Sequence, residues 1–346
     1  MNTPSHPPAL GKTLYRWQQA PLANHLHALM PQWRGLALDI SSQDLASNAS
    51  FVNYVRHHRL IDPCTGQPVE LVEKSIRKIA FLGSQEARLH RAEGMLTGST
   101  HFRYPSCLGV IETPWESLIF TEFVRGKPPR MHAIARQLAL GITELEDLSH
   151  SWIRDQSLSK APLLWSMDFF RPWFLLRPRF NFLRCLPGLV ALGREDALFA
   201  GLAERFDGFR PLMRKLAVAA QRSPHCICHM DYLRKNLFVT NGQLHLIDWS
   251  EVKLGRIGFD GGAYLGSLFR RKEMALFLSA QKEFSEAYRS ALPEKFNPDE
   301  AARNQHYVFL LTALYHCLRP ETIQEYRERD RMPLLLEKYK YLLSLL

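Results

Sequence analysis

His229-Met230-Asp231-Tyr232-Leu233-Arg234-Lys235-Asn236, followed by Ile247-Asp248-Trp249, carries the residue types that phosphoryl transfer needs. Asp231 and Asn236 stand five residues apart, close enough to share one tight loop, and Asp248 follows Asp231 by seventeen. One carboxylate can orient a hydroxyl nucleophile while two oxygen-bearing side chains hold Mg2+. Positioning and charge neutralisation are nearly all that this chemistry asks of a protein.

Three elements must position these groups. A strand over His225 to Cys228 delivers His229 and Asp231 to a loop. Leu237-Phe238-Val239 follows as a strand, and Leu244 to Ile247 returns; between them Asn241-Gly242 is a strong hairpin signal. A hairpin of this length brings Asp248 back beside Asp231 and Asn236.

This double pattern resembles the catalytic segment of the aminoglycoside phosphotransferase and choline kinase family, relatives of the protein kinases. Its members carry a His-x-Asp-x-x-x-x-Asn loop followed by Ile-Asp-Trp or Ile-Asp-Phe. The resemblance is strong over His225 to Leu265 and weaker but consistent over Leu36 to Val124. It implies an α+β, two-lobed protein-kinase-like fold with a small β-rich N-lobe and a larger, mainly helical C-lobe. The boundaries expected are a tail over 1–12, a nucleotide-binding lobe over 13–125 and a catalytic and acceptor lobe over 126–346.

Roles follow from the resemblance residue by residue. Asp231 would accept or orient the proton of the substrate hydroxyl. Asn236 and Asp248 would hold Mg2+ on the ATP phosphates. His229 would brace the loop, and Lys235 would either help neutralise the transferred phosphate or stand in solvent. Asp260 would hold the loop or a helix start. Met230 stands where the family often has Gly, which is tolerated if its φ is negative.

Lys74 is the candidate for the lysine that pairs with the ATP phosphates. Strand alternation in Val72-Glu73-Lys74-Ser75-Ile76 puts it among apolar face-mates, so it needs a charge partner. Glu86, on a helix opened by Gly83-Ser84, can supply one, with Glu93 as the other choice; Arg77 and Lys78 are rivals of Lys74. A glycine-rich phosphate loop is absent. The polar run Ser41 to Ser50, between candidate strands Leu36–Ile40 and Ser50–His58, offers Ser47, Asn48 and Ser50 instead. Backbone at Glu122 to Val124 would form the hinge that meets adenine, just before the breaker Arg125-Gly126-Lys127-Pro128-Pro129. Beyond it the pattern is helical over Ile134–His150, Leu189–Ala220, Glu273–Leu292, Pro298–Leu318 and Pro320–Leu346.

Composition narrows the partners. The net charge of +10 disfavours a strongly cationic acceptor and suits an anionic one. Ser151 to Arg222 holds twelve Lys or Arg against six acids, which leans toward an acceptor that is already anionic, such as a sugar phosphate or a lipid-linked glycan. Within it, Trp165 to Arg184 is rich in Arg and aromatics. It either packs as a helical insert or contacts acceptor or membrane surface. No zinc finger or RNA-recognition signature is present, so no nucleic-acid partner is expected. Cys226 and Cys228, flanked by His225 and His229, look like a metal cluster, but no second Cys pair has zinc spacing, so they read as core. Six scattered Cys, no signal-peptide pattern and no membrane-length apolar run place the chain in the cytoplasm. The activity expected is transfer of the ATP γ-phosphoryl group to a small-molecule hydroxyl. The alternatives are a non-catalytic nucleotide-binding scaffold or, given the lack of an activation segment after Asp248, less readily a protein kinase.

Overall fold

A computed structural model describes residues 21–49, 52–78, 85–90, 98–155, 166–171 and 182–346. The expectations placed on 1–20, Ser50, Ser84, Glu93 and most of the Arg-aromatic segment lie outside these residues, as do the side chains of Ser47 and Asn48. The chain divides into two compact units. One comprises Met1–Ala92 and Pro105–Val124, and the other Glu93–Tyr104 and Arg125–Leu346.

The first unit is built on an antiparallel sheet of order β1-β2-β3-β6-β5. Its strands are β1 (Ile40–Ala49), β2 (Val52–Ile61), β3 (Pro68–Arg77), β5 (Cys107–Glu112) and β6 (Glu116–Glu122). One face is covered by a helix, α1, over 21–29: Leu22, Leu26 and Trp33 pack on Ile40, Leu60, Leu71, Leu118 and Phe120. The opposite face packs Ile76 and Ile119 on Ala87 of α2 (Gln85–His90). Two expectations change here. Leu36 to Asp39 is not strand, and the polar run expected as a loop is strand through Ala49, paired along β2 from Ile40↔Leu60 to Ala49↔Val52. β1 is an edge strand, where backbone pairing is enough to hold polar residues in place.

In the second unit, β7 (His225–Cys228) pairs antiparallel with β10 (Lys253–Arg256), a strand with no sequence signal of its own. The hairpin β8 (Leu237–Thr240) and β9 (Gln243–Leu246) closes through Asn241 (φ 52°) and Gly242 (φ 78°), the left-handed pair that such a turn requires. β4 (Phe102–Arg103) adds to β9 in parallel, so this short segment belongs with the second unit.

Helices make up the rest: α3 (Ala135–Arg154), α4 (Leu186–Glu195), α5 (Leu202–Asp207), α6 (Phe209–Gln221), α7 (Phe259–Arg271), α8 (Met274–Ala291), α9 (Pro298–Leu318), α10 (Pro320–Glu328) and α11 (Met332–Leu343). The single helix expected over Leu189–Ala220 is three: the first break runs from Asp196, which is extended, to Gly201, which is left-handed at φ 71°, and the second falls at Gly208. Pro320–Leu346 divides likewise at Asp330, φ 52°.

Of α7 only a start at Asp260 is expected from the sequence, and the body of the helix carries no helical signal. Its glycines depress helix propensity, but packing requires them. A Cβ on Gly262 would lie 2.4 Å from the Gln305 carbonyl oxygen, and one on Gly266 would lie 2.6 Å from Thr312 of α9. Asn297 starts α9 by accepting from the Asp299 and Glu300 amides, with Pro298 at the first helical position. Among the described residues no helix is long and apolar enough to cross a membrane.

Candidate active site

In the first unit Lys74 lies on the face of β3 that also carries Val72 and Ile76, opposite Ile119 of β6. Its ammonium donates to Glu86 Oε2 at 2.7 Å, and both side chains are buried. At this depth an ammonium persists only with a partner. The charge is felt nearby, since burial and then Lys74 push the His90 imidazole down to about 4. The two rivals are engaged elsewhere. Arg77 donates to Asn53 Oδ1 from Nε at 3.2 Å and from Nη2 at 3.1 Å, while Lys78 pairs with Glu112 and donates to the Thr113 carbonyl. Ser47 and Asn48 end β1. Glu122 ends β6, its amide donating to the Ser106 carbonyl at 3.0 Å, and Val124 follows outside the sheet.

In the second unit the loop after β7 converges on one carboxylate. Asp260, fully buried in the first turn of α7, accepts from the His229 amide at 3.0 Å, the Met230 amide at 2.8 Å and the Tyr232 hydroxyl at 2.9 Å. Burial raises its carboxyl above the ordinary value, and the Met230 and His229 amides oppose the rise. His229 works through both ring nitrogens. Nδ1 accepts from the Asp231 amide at 3.3 Å and Nε2 donates to the Ile247 carbonyl at 2.9 Å, which selects the neutral Nε2–H tautomer. Met230 has φ 65°, not the negative value expected of a tolerated Met, so the side chain sits where Gly is at ease.

Asn236 closes the loop. Its amide nitrogen donates to Asp231 Oδ2 at 2.9 Å and to the Asp231 carbonyl at 3.0 Å. Both amide hydrogens are therefore used, and Oδ1 is the atom left for a ligand. The Asn236 carbonyl accepts from the Ile247 amide at 3.0 Å, which seats Asp248 on the adjoining backbone in the left-handed region. Lys235 reaches Asp248 Oδ2 at 3.8 Å, but its side chain is 67% exposed, so the pair is weak.

Burial raises the Asp231 carboxyl; Lys235 opposes, Asp248 and Glu251 raise it further, and the Asn236 amide opposes again. Hard oxygen donors beside crowded carboxylates fit a divalent cation, with Asn236 Oδ1 and Asp248 as the groups that could hold it.

Cys226 and Cys228 are buried with sulfurs 3.6 Å apart, and burial raises both thiols. In the Arg-aromatic segment the described side chains Met167, Phe169 and Phe182 are buried, and Asp168 meets Arg256 at 3.6 Å.

Glu146 of α3 had gone unnoticed. It is fully buried, accepts from the Gly258 amide at 2.7 Å and the Tyr288 hydroxyl at 2.5 Å, and so fixes the turn leading into Asp260. Burial pushes its carboxyl up to about 8. Its place on the Ile142-Glu146-Ser149 face of an amphipathic helix was the available signal.

A lysine on an antiparallel sheet paired with a glutamate on the helix beside it, and an Asp-Asn-Asp set beside a hairpin, are features of the kinase-like class of phosphotransferase. The model of the phosphotransferase enzyme family (APH) matches residues 12–295, and the chain belongs to that family. It is a kinase of small-molecule hydroxyl acceptors, dependent on ATP and a divalent metal. The solved structures that share its fold include two kinases. A choline kinase from Cryptosporidium parvum Iowa II aligns with TM-score 0.58 and 14% identity over 94% of this chain and 97% of its own. The amicoumacin kinase hAmiN, solved with AMP-PNP, Ca2+ and Ami, aligns with TM-score 0.57 and 11% identity over 97% of this chain and 96% of its own. No curated protein sequence matches the chain.

Proposed function

We propose that the chain moves the γ-phosphoryl group of ATP to a hydroxyl that Asp231 orients and deprotonates. The observation that carries this reading is the pair of hydrogen bonds that the Asn236 amide nitrogen donates to Asp231, which aims one carboxylate and leaves an amide oxygen for a cation. Asn236 and Asp248 would hold Mg2+, which when bound would neutralise charge on the phosphates. Lys74, steadied by Glu86, engages the ATP phosphates. Ser47, Asn48 and Ser50 are the groups we assign to the phosphates, and the Glu122–Val124 backbone to adenine. Lys235 adds positive charge where the phosphoryl group passes.

The acceptor we favour is anionic, a phosphorylated sugar or a lipid-linked glycan, on the strength of the basic excess over Ser151–Arg222. All six cysteines are free thiols, which suits the cytoplasm.

The test is ATP consumption and phosphate transfer across a panel of anionic and neutral hydroxyl compounds, with Asp231→Asn as blank. Asp231→Asn should lower turnover by about a thousandfold, as loss of a positioned general base does. Wild-type turnover in that variant overturns the assignment of Asp231. Nucleotide binding without transfer to any member of a broad panel favours a scaffold instead.

A further inference from the structure

The far end of α7 is chemically unlike its start. Arg270 and Arg271 lie in its last turn, ten and eleven residues after Asp260, or about 15 Å along a helix axis. Together with Arg329 and Arg331, which follow α10, they line a cavity of about 300 Å3. Glu325 is the one carboxylate on its wall, and it already binds Arg329 at 3.1 Å. Neighbouring arginines outside the wall are paired, Arg319 with Glu321 and Arg327 with Glu195. Arg270, Arg271 and Arg331 make no ion pair among the described residues.

The helix C-terminus does not account for this charge. A cation there would normally answer the exposed carbonyls. That place is taken by Lys338, which is fully buried and donates to the Arg270 carbonyl at 3.0 Å and to the Tyr326 hydroxyl at 2.8 Å. Tyr326 lines the cavity, so a further positive charge stands directly behind its wall. The cations also repel one another: burial, then Arg271 and Arg319, hold the Arg270 guanidinium below its ordinary value. Thr322 lines the same cavity at 8% exposure, and its hydroxyl has no hydrogen-bond partner among the described residues. Guanidinium forks and a spare hydroxyl donor are what phosphate oxygens accept from.

We propose that this cavity binds a phosphate-bearing anion, at a site separate from the residues assigned to phosphoryl transfer. Inorganic pyrophosphate is the probe, titrated calorimetrically into the full chain at low ionic strength without divalent metal. A Lys74→Ala variant serves as control for binding at the nucleotide half-site. Pyrophosphate should bind the wild type and Lys74→Ala alike. Arg271→Glu/Arg331→Glu should weaken it more than tenfold, and Thr322→Val should weaken it several-fold. Both substituted arginines are exposed, so the melting temperature should stay within about 2 °C of wild type.

Sedimentation with phosphatidic acid vesicles, absent with phosphatidylcholine and lost in the double variant, would assign the phosphate to a lipid headgroup. Pyrophosphate binding without vesicle binding would assign it to a soluble ligand. Undiminished pyrophosphate binding in the double variant overturns the proposal, as does no binding by the wild type.

Discussion

Lys74 and Asp231 are held in place by opposite means. Lys74 is held through an ion pair with Glu86 of α2. Asp231 sits in a loop whose amides and tyrosine hydroxyl converge on the buried carboxylate of Asp260, braced by neutral His229 and by Asn236. A side-chain ion pair can be broken and re-formed without disturbing backbone hydrogen bonds. A buried carboxylate bonded to consecutive backbone amides cannot release the loop without leaving its own lone pairs unmet. On the roles proposed above, the ion pair steadies the group that meets the nucleotide, and the buried carboxylate fixes the loop that aims Asp231.

That contrast predicts a division of effects. Asp260→Ala should be the most damaging substitution, because it orphans the His229 and Met230 amides and the Tyr232 hydroxyl in a dry interior. The expected loss is about 3–5 kcal/mol by denaturant unfolding, with turnover falling in parallel. Glu86→Gln should behave differently. It should cost about 1–2 kcal/mol of stability, yet raise the KM for ATP at least about tenfold, because the Lys74 ammonium is no longer held. Equal stability losses in the two variants would erase the distinction drawn between the two regions.

The same two regions differ in how far their sequences disclosed them. The hairpin was legible because Asn241-Gly242 is a local rule, satisfied by the two residues that turn the chain. The pairing of Lys74 with Glu86 was legible because alternation forces a buried lysine to seek an acid. β1 was not, because an exposed edge strand needs no apolar alternation, and a serine-rich strand reads as loop. α7 was hidden for the opposite reason: its glycines answer to α9, some forty residues further along the chain. Glu146 bonds to Gly258 across 112 residues, and no local pattern reports such a contact.

Glu146 gives the scaffold of the proposed catalytic loop a pH dependence opposite in sign to that of His90 beside Lys74, whose imidazole burial pushes down. Its carboxyl titrates near 8 in the folded chain, pushed up by burial, against an ordinary value of 4.5. The folded state therefore holds a proton that the unfolded chain has released. The stability this contributes is complete below about 4.5 and is lost as pH rises toward about 8. The loss should approach about 1.4 kcal/mol per pH unit within that window. Glu146→Gln keeps an acceptor for the Gly258 amide and an uncharged group for Tyr288, so its unfolding free energy should vary less with pH between 5 and 8. Parallel pH profiles for the two proteins would show that Glu146 is ionised throughout.

The smallest effect expected comes from Met230. Its φ of 65° places a side chain in the left-handed region, where an L-residue other than glycine carries about 1–2 kcal/mol of strain. The Met230 amide must still reach Asp260 Oδ1, and it is this bond that holds the backbone in that region. Met230→Gly removes the strain but gives the unfolded chain more freedom, which offsets part of the gain. The net should be a stabilisation of about 0.5–1 kcal/mol, with no loss of turnover. The same substitution at a position with negative φ would destabilise. The sign of the change in denaturant midpoint thus reports directly whether the loop that aims Asp231 is strained or merely unusual in sequence.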